Sequence, residues 1–203
     1  GGATPWDCFS YAGQLTQDWG IDGTILRFPS QNYFVWSCFS GTLQTLCIAP
    51  MASPTSLGAR TVLSEPTPSW GRVDTPVNEG PAAMYHGGKT FLSFNVSFCW
   101  TSSYQLGLLT YKSGGPTLMS SWTKTGQHFS SAYGNYGPGH NGFFQSPDGT
   151  EIWNVYHATK TTTGACDGNR HTAAKKVSWN SDGSPNFDKP DVLGTVLAGP
   201  SGE

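Results

Sequence analysis

Short apolar runs separated by turn-forming residues fill this chain, and they come in pairs. Ile25-Leu26 is followed by Tyr33-Phe34-Val35-Trp36, Ala83-Met84 by Phe91-Leu92-Ser93-Phe94, and Phe143-Phe144 by Ile152-Trp153-Asn154-Val155-Tyr156. Runs of this length, rich in β-branched and aromatic residues, suit a pleated surface rather than a helix. The links between them carry turn chemistry: Pro29-Ser30-Gln31-Asn32, His86-Gly87-Gly88-Lys89 and Ser146-Pro147-Asp148-Gly149. Each pair therefore predicts strand, turn, strand. Further apolar runs at residues 43–49, 106–111 and 173–179 follow the three pairs, so each unit is expected to be a small antiparallel sheet.

The second-strand aromatics Tyr33, Phe91 and Trp153 recur at intervals of 58 and 62 residues. Common propeller blades repeat every roughly 40 to 50 residues, and longer loops account for the difference. Radial repetition of four-stranded sheets buries both faces of each sheet and brings the innermost strands to a shared central funnel. The expected fold is all-β, a β-propeller of about three to four blades in a single domain over residues 1–203.

Composition supports this and narrows the partners. Charged residues make up 12% of the chain, while 26 glycines and 14 prolines match many short strands joined by tight turns. A net charge of −2 without any Lys/Arg cluster removes the electrostatic footprint of a nucleic-acid binder, so a neutral ligand is expected. No stretch approaches the roughly 18 consecutive apolar residues of a membrane span, and the first residues lack signal-peptide character. Cys8, Cys38, Cys47, Cys99 and Cys166 show no zinc-like spacing. Disulfides of a secreted protein compete here with buried thiols, Cys38 and Cys47 can face each other across a hairpin, and the odd count leaves one thiol without an internal partner.

Counting back 11, 12 and 13 residues from the three anchors reaches Asp22 in "GIDGT", Glu79 in "VNEGP" and His140 in "GPGHNG". Glu79 is one of only four glutamates in the chain. Any one of these is explained by a strand start that tolerates a polar residue, but three ionisable residues in register, each close to a glycine that lets a ligand approach, indicate a site. Two carboxylates and a histidine at the rim of an uncharged, aromatic-rich funnel suit glycoside hydrolysis, in which one carboxyl donates a proton and the other stays ionised. Glu79, among Gly, Pro and apolar residues, is placed to hold a proton. Spacing alone makes Glu79 the acid and Asp22 the base. His140 either holds a water or cation in the channel or packs as a hydrogen-bonded core residue. Trp36, Trp100, Trp153 and Trp179 are candidates for sugar stacking, although aromatics at strand spacing are usually core.

The ordered series "IDGT", "IAPM", "NEGP", "CWTSSYQLG", "GPGHNGF", "SPDGTEIWNVYHA" and "WNSDGSPNF" resembles glycoside hydrolase family 43, five-bladed propellers that include α-L-arabinofuranosidases, β-xylosidases and arabinanases. The likeness runs from about Asp18 to Phe187. It implies an inverting glycosidase, secreted, acting on arabinose- or xylose-containing polysaccharides. Glu79 is then the general acid, Asp22 a group that tunes this acid and orients substrate, and His140 and Arg170 substrate-binding residues. The likeness calls for no cofactor, but a calcium or sodium ion in the central channel, reached from His140 through water, is compatible with it.

This changes the base. The family's general base is another aspartate near the start of its first blade, and nothing before Asp22 matches it. Asp7 in "TPWDCFS" and Asp18 in "TQDWG" do not head a strand-turn-strand unit. The first blade is expected to lie outside these residues, or on a second chain that supplies it. The chain departs from the family at Phe94-Asn95-Val96-Ser97, where "YSAS" is frequent, and at Ala173, where a second arginine is common. Asn95-Val96-Ser97 is also a glycosylation sequon, set in a predicted strand. The alternatives to an enzyme are a non-catalytic carbohydrate-binding protein that has lost its base, and a structural β-protein with no sugar site.

Overall fold

The computed structural model describes residues 3–203. Three antiparallel meanders follow one another along the chain. The first holds β1 (Gly20–Phe28), β2 (Gln31–Ser40) and β3 (Leu43–Ser53), with the short β4 (Ser56–Leu57) and β5 (Thr61–Ser64) both paired to β3. The second is a four-stranded blade of β6 (Asn78–His86), β7 (Lys89–Val96), β8 (Gln105–Tyr111) and β9 (Trp122–Phe129). The third contains β10 (Tyr136–Gln145), β11 (Ile152–Thr159) and β12 (Arg170–Lys176), and a separate hairpin of β13 (Ser178–Trp179) and β14 (Pro185–Asn186) follows it.

Local sequence sets these boundaries. His86 pairs with Lys89 across the β6–β7 turn, and Gly87 and Gly88 take φ values of 55° and 75°. Consecutive positive φ values are what a two-residue hairpin turn needs, and glycine adopts them without a Cβ penalty. At the β10–β11 turn, Asp148 Oδ1 accepts hydrogen bonds from Ser146 Oγ at 2.7 Å and from the Thr150 amide at 3.0 Å. A carboxylate that captures its own backbone in this way favours a turn over continued strand.

The core lies between blades. Leu26, Val35, Leu46, Ile48 and Leu63 of the first sheet meet Leu92, Phe94, Val96, Leu109 and Trp122 of the second. On the second sheet's other face, Met84, Phe91, Leu106, Leu108 and Phe129 meet Tyr156 and Ala158 of β11, together with Val177 and Phe187 around the last hairpin. The central strand β7 is thus buried on both faces: Leu92, Phe94 and Val96 point into one core, while Phe91 enters the other and Ser93 and Asn95 are buried beside it. Each fully buried large side chain adds about 1.5–3 kcal/mol. A third cluster of Trp36, Cys38, Cys47 and Ala49 covers the first sheet's opposite face.

The innermost strand of the second blade, β6, packs against β1 on one side and β10 on the other. The blades form an open arc among the described residues rather than a closed ring, and this is a β-propeller arrangement of three blades. Two disulfides form, Cys38–Cys47 and Cys99–Cys166, and Cys8 is free and exposed. The Cys38–Cys47 pair is diagonal rather than directly opposed, since Cys38 sits across from Thr45 and Cys47 across from Trp36. No helix is long and apolar enough to cross a membrane among the described residues.

Candidate active site

Each innermost strand carries a bulge near its start, and the bulges meet at the centre of the arc. The β1–β2 register breaks between Ile21 and Thr24, the β6–β7 register between Glu79 and Ala82, and the β10–β11 register between Gly139 and Gly142. The first bulged residue is left-handed in all three: Asp22 at φ 59°, Gly80 at 54° and His140 at 47°. Bulges re-aim side chains and are common beside active sites. Asp22 and His140 therefore share a register position, but its third member is Gly80. Glu79 stands one residue earlier, level with Ile21 and Gly139. This differs from the equal placing expected from sequence spacing, because the interval from Asp22 to Glu79 falls one residue short of the strand repeat.

The hydrogen bonds join all three bulges. Asp22 Oδ2 accepts from the Gly80 amide at 3.1 Å, and Asp22 Oδ1 lies 3.6 Å from His140 Nε2. Asn95 Oδ1 accepts from the His140 amide at 2.8 Å. Glu79 Oε1 accepts from the Tyr104 hydroxyl at 2.7 Å, and Glu79 Oε2 from Gln44 Nε2 at 3.1 Å. One carboxyl is thus held by two neutral donors, and a second carboxylate is fastened to the backbone of the very next residue. Asn95, the sequon residue, is fully buried and already bonded.

Tyr104 links Glu79 to the third blade. It is 1% exposed, and its ring is parallel to that of His157, offset at a centroid distance of 5.8 Å. Burial first, and the neighbouring Glu79 and Asp22 charges next, hold its hydroxyl protonated well above the ordinary tyrosine range. His157 is pushed down to about 4 by burial, reinforced by Arg170, His140 and His171. It is therefore neutral at ordinary pH, and Arg170 Nη1 donates to its Nε2 at 3.2 Å. That contact places the imidazole proton on Nδ1, an atom that is buried without a protein partner. Arg170 also donates from Nε to the Asp167 carbonyl at 3.2 Å and remains exposed at the rim.

The Cys99–Cys166 disulfide ties together the loops that deliver these side chains. Cys99 lies in the loop that leads to Tyr104, and Cys166 in the loop that leads to Arg170. The loops touch backbone to backbone, since a Cβ on Gly164 would stand 2.3 Å from the Thr101 carbonyl carbon.

A cavity of about 460 Å³ opens beside Asp22, lined by Ile21, Phe34 and Trp36, by residues 13–16 and by Asp18. The larger one, about 610 Å³, lies at the far end of the first blade around Phe28–Asn32 and contains none of these side chains. Asp18, facing the smaller cavity, pairs with Arg60 at 3.3 Å. Of the four tryptophans considered for sugar stacking, Trp36 and Trp153 are buried, Trp179 is partly buried against the core and stacked on the exposed His86, and Trp100 is half exposed.

Direct calcium coordination does not fit these residues. Calcium takes six to eight oxygen ligands. No group of three or more His, Cys, Asp or Glu side chains that could hold a metal occurs among the described residues. The unpartnered Asn95 Nδ2 is a donor, which suits an acceptor rather than a cation.

Sequence reasoning singled out Asp22, Glu79, His140 and Arg170 and passed over Gln44, Tyr104, Asn95 and His157 as site residues. A signal for two of them was present. Ser37, Asn95 and His157 recur at the same 58- and 62-residue intervals as the strand anchors. Each pairs with the residue just before a bulge. Gln44 and Tyr104 have no such repeat.

Known proteins share this architecture and sequence. The model for glycosyl hydrolases family 43 matches residues 3–185. The chain is 44% identical over 161 residues to an extracellular exo-alpha-(1->5)-L-arabinofuranosidase of Streptomyces avermitilis, a match covering 75% of this chain and 33% of that protein. It is 33% identical over 200 residues to alpha-L-arabinofuranosidase 43 of Humicola insolens, covering 92% of this chain and 39% of the relative. The crystal structure of an alpha-L-arabinofuranosidase from Lactobacillus brevis superposes with a TM-score of 0.83 at 30% identity, over 91% of this chain and 61% of that one. The alpha-L-arabinanase of Cellvibrio cellulosa, at 19% identity and a TM-score of 0.63, shares the fold. The chain spans about a third to two-fifths of the length of these curated relatives. A family match over nearly the whole chain, on this propeller and these bulges, makes the chain a member of glycosyl hydrolase family 43.

Proposed function

We propose that these residues belong to the catalytic domain of a secreted inverting glycosidase that removes arabinose from arabinose-containing polysaccharides or oligosaccharides, with Glu79 as general acid. The observation that carries this reading is the Glu79 carboxyl, held at the head of β6 by Tyr104 and Gln44 and joined through Gly80 to Asp22. Two donors stabilise the carboxylate left behind once the proton has moved to the leaving oxygen. The Asp22 charge acts in the opposite sense and favours a protonated neighbour before the reaction. Arg170, an exposed cation at the rim, provides hydrogen bonds for sugar hydroxyls, and His140 orients Asp22.

The general base is assigned to a carboxylate outside these residues, in a further segment or a second chain, because Asp22 is already engaged by Gly80 and His140. Arabinose is preferred over xylose because the relatives named above are arabinofuranosidases. A channel ion, where one binds, is reached through water rather than direct ligands.

Replacement of Glu79 by alanine should depress hydrolysis mainly on glycosides with poor leaving groups, since protonation matters least when the leaving oxygen departs readily. Equal losses on activated and natural arabinosides would remove Glu79 from the acid role. The engagement of both carboxylates also favours a second reading, a sugar-binding protein without hydrolysis. Release of arabinose that is abolished by Glu79→Gln would exclude it.

A further inference from the structure

Gln44 stands at the start of β3, outside the three bulges, yet it reaches the acid directly. Its Nε2 donates to Glu79 Oε2 at 3.1 Å and to Ser37 Oγ at 3.0 Å. Ser37 Oγ donates its own proton to the Asn78 carbonyl at 3.0 Å, so towards Gln44 it can only accept. This fixes the orientation of the amide: a reversed Gln44 would set its oxygen against the Ser37 oxygen with no proton between them, and against Glu79 once the acid has given up its proton. Both Nε2 protons are therefore directed, one to Ser37 and one to Glu79. Asn78, whose carbonyl begins this chain of contacts, is itself fully buried and locked by Ser64 Oγ and Lys124 Nζ, at 2.8 and 3.0 Å from its Oδ1.

We propose that Gln44 is a positioning residue for Glu79: it holds Oε2 in place and stabilises the carboxylate that forms when the acid gives up its proton. The inference rests on the reading of Glu79 as the general acid. In that step the Glu79 O–H bond breaks and its electron pair stays on the carboxylate. The proton joins the leaving oxygen, which takes the electrons of the glycosidic bond. Tyr104 supplies the matching donor at Oε1. The other titratable or charged groups around the site are Asp22 from β1, His140 from β10, His157 from β11 and Arg170 from β12. Asp22 alone among these is negative, and it opposes the two donors. Gln44 is the uncharged donor contributed by the neighbouring blade, so the separation of the first and second blades sets the acid's hydrogen bonding.

The chain's four glutamates allow a direct test, because carboxyl-labelled glutamate in carbon-13 NMR resolves Glu79 without any turnover. Gln44→Met keeps the bulk and removes the donor. Loss of a hydrogen bond to the charged form should raise the Glu79 titration midpoint by about one pH unit. In the unsubstituted protein, the Gln44 side-chain amide protons should shift in step with Glu79. An unchanged midpoint in folded Gln44→Met, or amide protons indifferent to that titration, would overturn the proposal. Should Gln44→Met fail to fold, Ser37→Ala leaves Gln44 in place and frees its amide to turn. A smaller upward move is then expected, and no move would count against the proposal. Failure to cleave or bind any arabinoside would defeat the functional reading while leaving this measurement intact.

Discussion

The backbone amide of Gly80 donates to the Asp22 carboxylate at 3.1 Å, which ties the bulge of one blade to the bulge of the next. Glu79 precedes Gly80, so the position of the proposed acid depends on a carboxylate 57 residues earlier in the chain. Asp22→Asn can preserve this bond through its remaining oxygen and turn its amide nitrogen to His140. It removes only the charge. Hydrolysis by an acid that must be protonated fails as pH rises through its titration, and loss of a nearby negative charge moves that failure to lower pH. The alkaline limb of the activity profile should shift down by about one pH unit, and an unmoved limb would leave Asp22 a structural residue.

Gly139 has no room for a side chain. A Cβ there would lie 1.9 Å from Asn95 Nδ2 and 2.8 Å from Tyr104 Cε1, whereas one on Gly142 would meet nothing within 4 Å. Gly139→Ala should cost about 1–3 kcal/mol through overpacking and displace Tyr104 from Glu79. Gly142→Ala should stay within about 0.5 kcal/mol of the parent. Denaturant unfolding of the two variants distinguishes them, and equal stabilities would contradict this packing.

The two disulfides should differ in worth. Cys99–Cys166 closes a 67-residue separation and Cys38–Cys47 a separation of 9. The chain-entropy relation gives about 4 kcal/mol for the first and about 2.5 kcal/mol for the second. Paired serine replacements followed by thermal unfolding would rank them. Loss of Cys99–Cys166 should also weaken sugar binding, because its loops deliver Tyr104 and Arg170.

His157 makes the fold sensitive to acid. Its titration is depressed to about 4, mainly by burial, whereas an unfolded histidine titrates near 6.5. The unfolded chain therefore binds the extra proton first, and stability falls as pH drops from about 6.5 through 4. The cost should reach about 2 kcal/mol once solvent screening is allowed for. His157→Gln should flatten this part of the stability curve, measured by urea unfolding between neutral pH and pH 4. An identical slope in parent and variant would show that another group is responsible.

The first three strands of each blade, the hairpin positions and the blade repeat were legible in the chain because they follow from local rules: paired apolar runs and turn residues such as Gly87-Gly88; β4, β5, β9 and β14, short or strongly polar, were not. The shared register of Asp22 and His140 was legible for the same reason, since bulges recur with the blades. Glu79 stands one residue off that register, because 57 residues separate it from Asp22 whereas the strands repeat after 58, and only the cross-strand pairing shows that Gly80 holds the equivalent place.

What only the tertiary structure decided is the contact set around the acid. Gln44 and Tyr104 reach Glu79 from 35 and 25 residues away, from the end of one blade's hairpin and from a loop of the next. Neither belongs to a repeated position, so no periodicity marks them. The neutral state of His157, the orientation of the Gln44 amide and the pairing of Cys99 with Cys166 likewise depend on burial and on which loops meet. The sequence by itself determined the sheets and the residues at their heads, through interactions between near neighbours along the strands. The packing of blade against blade determined which of those residues face one another, because that contact is made by side chains distant in sequence and is set by the inter-blade core.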